Sequence, residues 1–265
     1  FEGGKEFSAE EFPIENPEMI GRFEDKLGRI DEENPATFLR TYLASTLYHQ
    51  DEDVYLTLDE EEGTFVIHLN LATGLKKEFS IPHALARGKH NSVILGENLY
   101  QLSIREDSLD LKVTGLLDRE MKNQWKYSRL DPIDIQFDEA AKEMETGEVL
   151  ALKTTSEFLM EADASPYIAL AGTSMGDSLV ELQIGGVFPM IKRGVTGIVL
   201  EEKIRKSYFI ALMDSRTHQA LFSMPEPFVS RRLMMAQPHF KTFTFHGVRY
   251  YGFWDRGRQG YYVSQ

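Results

Sequence analysis

The segment FVIHLNLATGLKKEFSIP, residues 65–82, combines two apolar runs with a short turn between them. The first run is FVIHL (65–69), Thr73-Gly74 supplies turn residues, and the second run ends in FSIP (79–82). Runs rich in Val, Ile, Leu and Phe on either side of a glycine turn are typical of a β-hairpin. The segment therefore predicts a pair of antiparallel strands.

The same pattern of short apolar runs separated by turn residues extends over most of the chain. The candidate strands are 53–58, 64–71, 75–81, 92–96, 99–105, 109–116, 149–153, 157–161, 167–172, 178–184, 187–191, 197–201, 207–213, 218–224, 241–246, 249–255 and 260–264. Two helical interruptions are predicted, from Asp138 to Glu145 and from Arg231 to Ala236, each between a capping residue and a helix stop. The predicted class is mainly β, with short antiparallel strands.

Residues 65–82 align without a gap on residues 208–225, YFIALMDSRTHQALFSMP. Five pairs are identical in this alignment: Ile67/Ile210, Leu69/Leu212, Phe79/Phe222, Ser80/Ser223 and Pro82/Pro225. The offset of 143 residues equals three units of about 48, which is close to one four-stranded propeller blade. We therefore expect a β-propeller-like array, with a closed barrel or sandwich as the alternative.

The N-terminal part of the chain has helical rather than strand-like patterns. Asn16-Pro17 and Asn34-Pro35 each place a capping side chain before a proline, which predicts two short helices. Met19, Ile20, Phe23, Leu27 and Ile30 follow at helical spacing in the first of them. We expect an acidic lead-in with two helices over residues 1–46 and a single β-rich domain over 47–265.

Charge is distributed unevenly along the 265 residues. The formal net charge is −13, and residues 1–62 carry all of it, with 18 acidic and five basic side chains. Such a protein is repelled by phosphates, so we expect no nucleic-acid partner. No apolar run approaches the roughly 18 residues of a membrane span, so we expect no integral membrane contact. The absence of cysteine excludes disulfides and fits an extracytoplasmic (periplasmic or cell-surface) location.

One short motif points to hydrolysis. Gly172-Thr173-Ser174-Met175-Gly176 follows the apolar run YIALA (167–171) and resembles the nucleophile elbow of the α/β-hydrolases. That resemblance implies Ser174 as nucleophile, with Asp214 and one of His218, His239 or His246 completing a triad. The family has a helix after its elbow, whereas residues 178–184 have the composition of a strand. A serine esterase using Ser174 is therefore the alternative function, and a hairpin turn is the preferred interpretation.

Metal and nucleotide motifs are incomplete. Asp51, Asp53, Asp59 and Glu62 fit the spacing of a calcium loop, but Leu56 occupies the glycine position. The seven histidines show no ligand spacing on a helix, and no glycine-rich loop is followed by Lys-Ser or Lys-Thr. We therefore predict no metal, no cofactor and no catalytic residue.

Aromatic residues and arginines are interleaved near the C-terminus. The predicted binding residues in this region are Arg249, Tyr251, Trp254, Arg256 and Arg258. Aromatic faces and guanidinium groups anchor protein partners and stack on rings. The leading hypothesis is a non-enzymatic binding or scaffold protein that recognises a protein or glycan through its loops and this C-terminal region.

Overall fold

A computed structural model describes residues 27–30, 36–85, 87–144, 146–175, 178–193, 199–222, 241–245, 248–255 and 260–264. The prediction of a mainly β protein with antiparallel strands is confirmed, and four separate sheets are present in the described residues. No closed barrel or propeller is found in this part of the chain. Its helices are too short and too polar to cross a membrane.

The first two sheets are meanders, in which strands that follow one another in sequence lie side by side. Sheet 1 contains β1 (Leu27–Ile30), β2 (Ser45–Gln50), β3 (Asp53–Asp59), β4 (Gly63–Asn70) and β5 (Leu75–Pro82), in that order. Sheet 2 contains β6 (Lys89–Leu95), β7 (Asn98–Arg105), β8 (Ser108–Gly115) and β9 (Met121–Ser128). Only β1 pairs in parallel, with β2, and a one-turn helix, α1 (Phe38–Thr41), separates them in sequence.

The third sheet is larger, and the fourth is a short C-terminal meander. Sheet 3 contains β10 (Gln136–Glu143), β11 (Val149–Ala151), β12 (Tyr167–Met175), β13 (Leu179–Arg193), β14 (Val199–Asp214) and β15 (Ala220–Leu221). Its order is β11-β10-β14-β13-β12, with β15 also pairing with β14. Helix α2 (Thr155–Ala164) joins β11 to β12. Sheet 4 contains β16 (Lys241–Phe245), β17 (Val248–Asp255) and β18 (Gly260–Ser264).

Sheets 1 and 2 repeat each other with an offset of 45 residues. Asp53 faces Asn70 in the first sheet, and Asn98 faces Gly115 in the second. The turns that precede these strands carry Asp51 (φ 52°) and Gly96 (φ 58°) at equivalent positions in the left-handed region. The strand pairings and turns of the two sheets therefore correspond at a spacing of 45 residues.

One backbone hydrogen bond recurs in all three larger sheets and joins two turns at the same end of the sheet. It runs from Leu71 N to Glu52 O at 2.7 Å, from Leu116 N to Glu97 O at 2.9 Å and from Ser215 N to Ser178 O at 3.0 Å. This turn-to-turn bond identifies β12, β13, β14 and β15 as a third meander of the same kind, to which β10 and β11 are added.

The three larger sheets share one hydrophobic core. Its fully buried members include Tyr48 from sheet 1, Tyr100 from sheet 2 and Phe209 from sheet 3. Helix α2 adds Phe158, whose ring meets that of Phe209 edge-on at 5.1 Å. Burial of an apolar side chain of this size contributes about 1.5–3 kcal/mol. The core therefore holds sheets 1, 2 and 3 together.

Two helix predictions differ from the structure, and a third is not tested by it. Leu27–Ile30, predicted as the end of the first helix, forms β1 on the edge of β2, and residues 1–26 lie outside the described residues. Residues 138–143 lie in β10, because Asp138 and Ala141 pair with Ile210 and Tyr208 of β14. The predicted helix 231–236 also lies outside the described residues. The second N-terminal helix is present as the single turn α1.

Residues 157–161, predicted as a strand, lie in helix α2. The Thr154 hydroxyl accepts from Glu157 N at 3.1 Å, and the Glu157 carboxylate accepts from Lys153 N at 2.7 Å. This arrangement resembles a capping box, with the carboxylate bound to the N–H of the residue before the N-cap Thr154, and it favours a helix start. Phe158, Leu159 and Ala162 are buried on one side of α2, so the apolar run that suggested a strand is the inner face of a helix.

Candidate functional site

A cleft of about 760 Å³ lies where the connection from β9 to β10 meets the connection from β11 to α2. Its walls combine charged, hydroxyl and apolar side chains. The lining residues are Arg129, Leu130, Asp131, Pro132, Ile133, Gln136, Glu139, Ala140, Ala151, Leu152, Lys153, Thr154, Thr155, Ser156 and Phe158. We refer to this concavity as the β10–α2 cleft.

The two walls of the β10–α2 cleft are joined by a direct hydrogen bond. The Thr155 hydroxyl, in the first turn of α2, donates to Asp131 O at 2.6 Å. On the opposite wall, the Asp131 carboxylate accepts from Ser128 N at 2.8 Å, and this bond lowers the pKa of that carboxyl. Phe158 forms the floor and is fully buried. The cleft is thus preformed by capping and turn interactions.

The cleft carries two exposed cations. Arg129 and Lys153 make no ion pair with any described residue. The Asp131 carboxylate is already engaged with the backbone of its own turn, while Glu139 is exposed. Three consecutive hydroxyl residues, Thr154 to Ser156, follow Lys153 along the second wall. These cationic and hydroxyl side chains are better suited to binding carboxylates and main-chain amides than to binding a metal ion.

A second polar site lies between sheets 1 and 2. The Asp59 carboxylate accepts from the Thr64 hydroxyl at 2.7 Å and from the Ser92 hydroxyl at 3.1 Å. Gln101 donates through Nε2 to Thr64 Oγ1 and to Ile81 O, both at 2.9 Å. Burial raises the pKa of Asp59 to about 6. These bonds join the two sheets through polar side chains rather than forming an open site.

His83 and His90 lie at the edge of this network. Their rings stack at 4.0 Å with an interplanar angle of 7°. Burial and the neighbouring His90 lower the pKa of His83 to about 3, and burial lowers the pKa of His90. A metal ion lies near the plane of each imidazole that binds it, so two parallel rings at this distance cannot share one ion. The described residues contain no group of three His, Asp or Glu side chains that could hold a metal.

Two of the four acidic residues with calcium-loop spacing, Asp53 and Asp59, have protein partners. Asp53 accepts from Asn70 at 2.9 Å and lies 2.7 Å from His68 Nε2, and these contacts lower its pKa. The His68 ring in turn stacks on Tyr55 at 4.5 Å. The Asp59 carboxylate accepts hydrogen bonds from Thr64 and Ser92. The carboxylates of Asp53 and Asp59 are therefore both engaged in contacts within sheet 1 or between sheets 1 and 2.

Ser174 occupies an exposed position in β12, opposite Val180 of β13. A strand follows it where the hydrolase elbow has a helix, as the composition of residues 178–184 predicted. The Asp214 carboxylate accepts from Arg216 N at 2.9 Å and Thr217 N at 2.7 Å, so it caps its own turn. His218 is buried against Tyr100, with ring centroids 6.3 Å apart. His239 and His246 lie outside the described residues.

The predicted C-terminal binding residues fall on or beside β17. Arg249 pairs with Thr244, Tyr251 pairs with Thr242 and Ser264, and Trp254 pairs with Tyr261. Their backbone is described, but their side chains are not, and Arg256 and Arg258 lie outside the described residues. Binding by these five residues stays a prediction.

Sequence reasoning missed the β10–α2 cleft. Its lining combines the β9–β10 and β11–α2 connections with residues of β10, β11 and α2, which are separate in sequence. The signal that could have indicated one wall is Thr154-Thr155-Ser156-Glu157, whose hydroxyl and carboxylate have capping-box spacing. No known protein-family model matches the chain, and a comparison with curated proteins also yields no match.

Proposed function

We propose that this chain is a non-enzymatic binding or scaffold protein whose partner is a protein or a glycan. The β10–α2 cleft is the observation that carries the proposal, because it is a preformed concavity with exposed polar groups around an apolar floor. Binding sites commonly combine a concave apolar surface with a few polar groups that fix orientation.

The proposed scaffold is a propeller-like array. Support comes from three successive meanders, from the 45-residue offset between the first two and from the turn-to-turn bond that all three share. Repeated four-stranded units place their connecting loops at the two ends of the array. In such an array, loops that contribute nothing to the core are free to recognise partners.

The chemistry of the cleft favours a polypeptide over a glycan. Among its described lining residues Phe158 alone is aromatic, and its ring is fully buried, so no exposed aromatic face is offered to a sugar ring. Arg129, Lys153 and the hydroxyls of Thr154 and Ser156 instead supply donors for carboxylates and peptide carbonyls. Leu130 is 87% exposed and adds an apolar contact at the rim.

We propose a second contact through Arg249, Tyr251, Trp254, Arg256 and Arg258. Trp, Tyr and Arg are the residue types that contribute most to protein interfaces. These residues lie on or next to β17, in a sheet separate from the one that forms the cleft. An extracytoplasmic location fits a cysteine-free binding protein and is part of the same proposal.

A random nonapeptide library and a glycan array, each probed with the full chain, test this function. We expect peptides to be enriched, and we expect Leu130→Glu to weaken their binding by about tenfold, since a hot-spot contact at the rim is lost. Met160→Glu is the matched control, because Met160 is 62% exposed on α2 and does not line the cleft.

Three outcomes would contradict the proposal in different ways. Enrichment of glycans alone would show that the choice of a polypeptide is wrong. Peptides that bind equally well to both variants would place the site away from the cleft. Failure of both the library and the array to yield a ligand would overturn the binding function.

A further inference from the structure

The exposed edge of β11 differs from the outer strands of sheets 1 and 2, β5 and β9. An unpaired edge strand can pair with another chain, and proteins usually protect such edges with charged residues, lysine above all. The outer strand of sheet 1, β5, carries Lys76 and Lys77, and the outer strand of sheet 2, β9, carries Lys122 and Lys126. Strand β11 has the sequence Val-Leu-Ala and carries no charge.

The side chains of β11 are exposed although they are apolar. Val149 is 57% exposed and Leu150 is 46% exposed, and Ala151 is also exposed. Strand β11 ends sheet 3, since β10 lies on its inner side and the order of the sheet begins with β11. An uncharged apolar edge strand is normally an aggregation risk. Its presence in a folded protein therefore indicates a surface that binds a partner.

Two residues of β11 direct their backbone groups away from the sheet. Leu152 N donates to Ala140 O at 2.7 Å, and Met144 N donates to Glu148 O at 2.8 Å, so residues 148 and 152 bond towards β10. The direction of bonding alternates along an antiparallel strand, which makes residue 150 bond inward as well. Val149 and Ala151 therefore present their N–H and C=O groups on the outer edge.

This outer edge leads directly into the β10–α2 cleft. Ala151, Leu152 and Lys153 all line the cleft, and Arg129 lies on its other wall. An incoming strand that pairs with Val149 and Ala151 would continue past these two cations, neither of which has an ion pair in the described part of the chain. The cleft also holds the exposed residues Asp131 and Glu139, so Arg129 and Lys153 are the specific groups that carboxylate side chains of an incoming segment would bind.

We propose that β11 is a strand-docking site for an extended, acidic polypeptide segment. The segment adds to sheet 3 by main-chain hydrogen bonds with Val149 and Ala151, and its carboxylates bind Arg129 and Lys153. This inference rests on the proposed function, since it names the partner chemistry and the binding mode of the cleft.

Ala151→Pro tests the binding mode. Proline removes the outward N–H of residue 151 and leaves the bonds of Leu150 and Leu152 towards β10 in place, and proline is tolerated on an edge strand whose N–H faces solvent. Ala151→Val is the matched control, because it keeps the N–H and suits a strand. Thermal unfolding of both variants verifies that each is folded.

The probes are peptides enriched from the random nonapeptide library on the unmodified chain, labelled for fluorescence anisotropy. We expect acidic sequences whose binding falls by about tenfold or more in Ala151→Pro and is retained in Ala151→Val. Arg129→Glu combined with Lys153→Glu should weaken the same peptides by at least about tenfold, because two charge-assisted bonds become repulsive contacts.

Three results would overturn the inference. If enriched peptides are basic or neutral, the assigned charge is wrong. If Ala151→Pro is folded and binds as well as Ala151→Val, strand addition is wrong, while the binding function of the cleft survives whenever Leu130→Glu still weakens binding. If the library yields no peptide, the inference fails together with the proposed choice of a polypeptide partner.

Discussion

At the scale of single residues, Asn91 joins three parts of the core. It is 1% exposed, its Nδ2 donates to Thr41 O at 2.5 Å and its Oδ1 accepts from Leu170 N at 2.7 Å. Sequence reasoning placed β3, β4 and β5 of sheet 1 and β6, β7 and β8 of sheet 2 from their apolar residues. It could not identify Asn91 as a junction, because a polar residue beside a predicted strand carries no information about distant partners.

Asn91→Ala should destabilise the protein by about 2–4 kcal/mol, because it leaves Thr41 O and Leu170 N buried without a partner. The free energy of unfolding, measured in urea, gives the value. Asn98→Ala is the control, since Asn98 is only half-buried and its side chain makes no hydrogen bond in the described part of the chain. Equal losses for the two variants would contradict the role assigned to Asn91.

The His83–His90 stack predicts a loss of stability in acid. The pKa of His83 is about 3 in the folded protein, whereas an exposed histidine has a pKa near 6.5. The unfolded chain therefore binds this proton first, and stability falls as the pH decreases from about 6.5 towards 3. The raised pKa of Asp59 acts in the opposite direction below about pH 6.

His83→Gln should reduce the loss of stability between pH 7 and pH 5 by about 1–2 kcal/mol, since one titrating group no longer favours the unfolded chain. Urea unfolding at the two pH values measures the difference. His49→Gln serves as the control, because His49 lies on an exposed position of β2. If the free energy of unfolding of His83→Gln depends on pH as that of the unmodified chain does, His83 is not the group responsible for the loss of stability in acid.

Ser174 gives a direct test of the alternative function. Its position within a β-hairpin predicts that the chain does not hydrolyse p-nitrophenyl acetate above the rate of a denatured sample, and that Ser174→Ala leaves this rate unchanged. The release of p-nitrophenol, followed by absorbance, measures both rates. Hydrolysis that Ser174→Ala abolishes would establish the esterase and contradict the binding function.

At the scale of elements, composition identified most strands and failed where composition was ambiguous. Phe158, Leu159 and Met160 form an apolar run that is short enough for a strand, and only the capping interactions at Thr154 distinguish it as a helix. Strand β9 was missed because its sequence, MKNQWKYS, is polar and suits an outer edge rather than a core. Long-range pairing, which places β10 beside β14, has no local signal.

Because β13 packs closely against β14, we expect a side chain added at Gly185 to destabilise the protein strongly. A Cβ atom at this position would lie 1.8 Å from Ser207 O, a backbone atom that cannot move without displacing β14. Gly185→Ala should therefore cost at least about 3 kcal/mol of unfolding free energy.

Gly74 provides the comparison, because a Cβ atom there meets nothing within 4 Å and the residue has φ +68°. Gly74→Ala should cost only about 1–2 kcal/mol, which is the strain of a left-handed alanine. Chemical denaturation of both variants tests the difference. A smaller loss at Gly185 than at Gly74 would show that β13 and β14 are not packed as described.

At the scale of the whole molecule, the two segments aligned by sequence occupy corresponding hairpins with a shifted register. The aligned segments 65–82 and 208–225 coincide with the β4–β5 and β14–β15 hairpins as far as residue 222. The turn-to-turn bond, however, makes Leu71 equivalent to Ser215, whereas the alignment pairs it with Asp214. A shift of one residue exchanges the two faces of a strand, which explains why identities alone could not fix the register.

At this scale the sequence yields only a general hypothesis about partners. The charge distribution indicated that partners should be considered segment by segment, with an acidic N-terminal part and a basic C-terminal part. The β10–α2 cleft arises where sheet 3 departs from a simple meander by adding β10 and β11. No periodicity in the sequence records that addition, so the site became visible only with the fold.

Amide hydrogen exchange, followed by NMR with and without a library-derived peptide, tests the central claim that the edge of β11 binds a polypeptide. We expect the amides of Val149 and Ala151 to become protected, while that of Leu152, which already donates to Ala140 O, changes little. A peptide that saturates the protein and leaves the exchange of Val149 and Ala151 unchanged would contradict it.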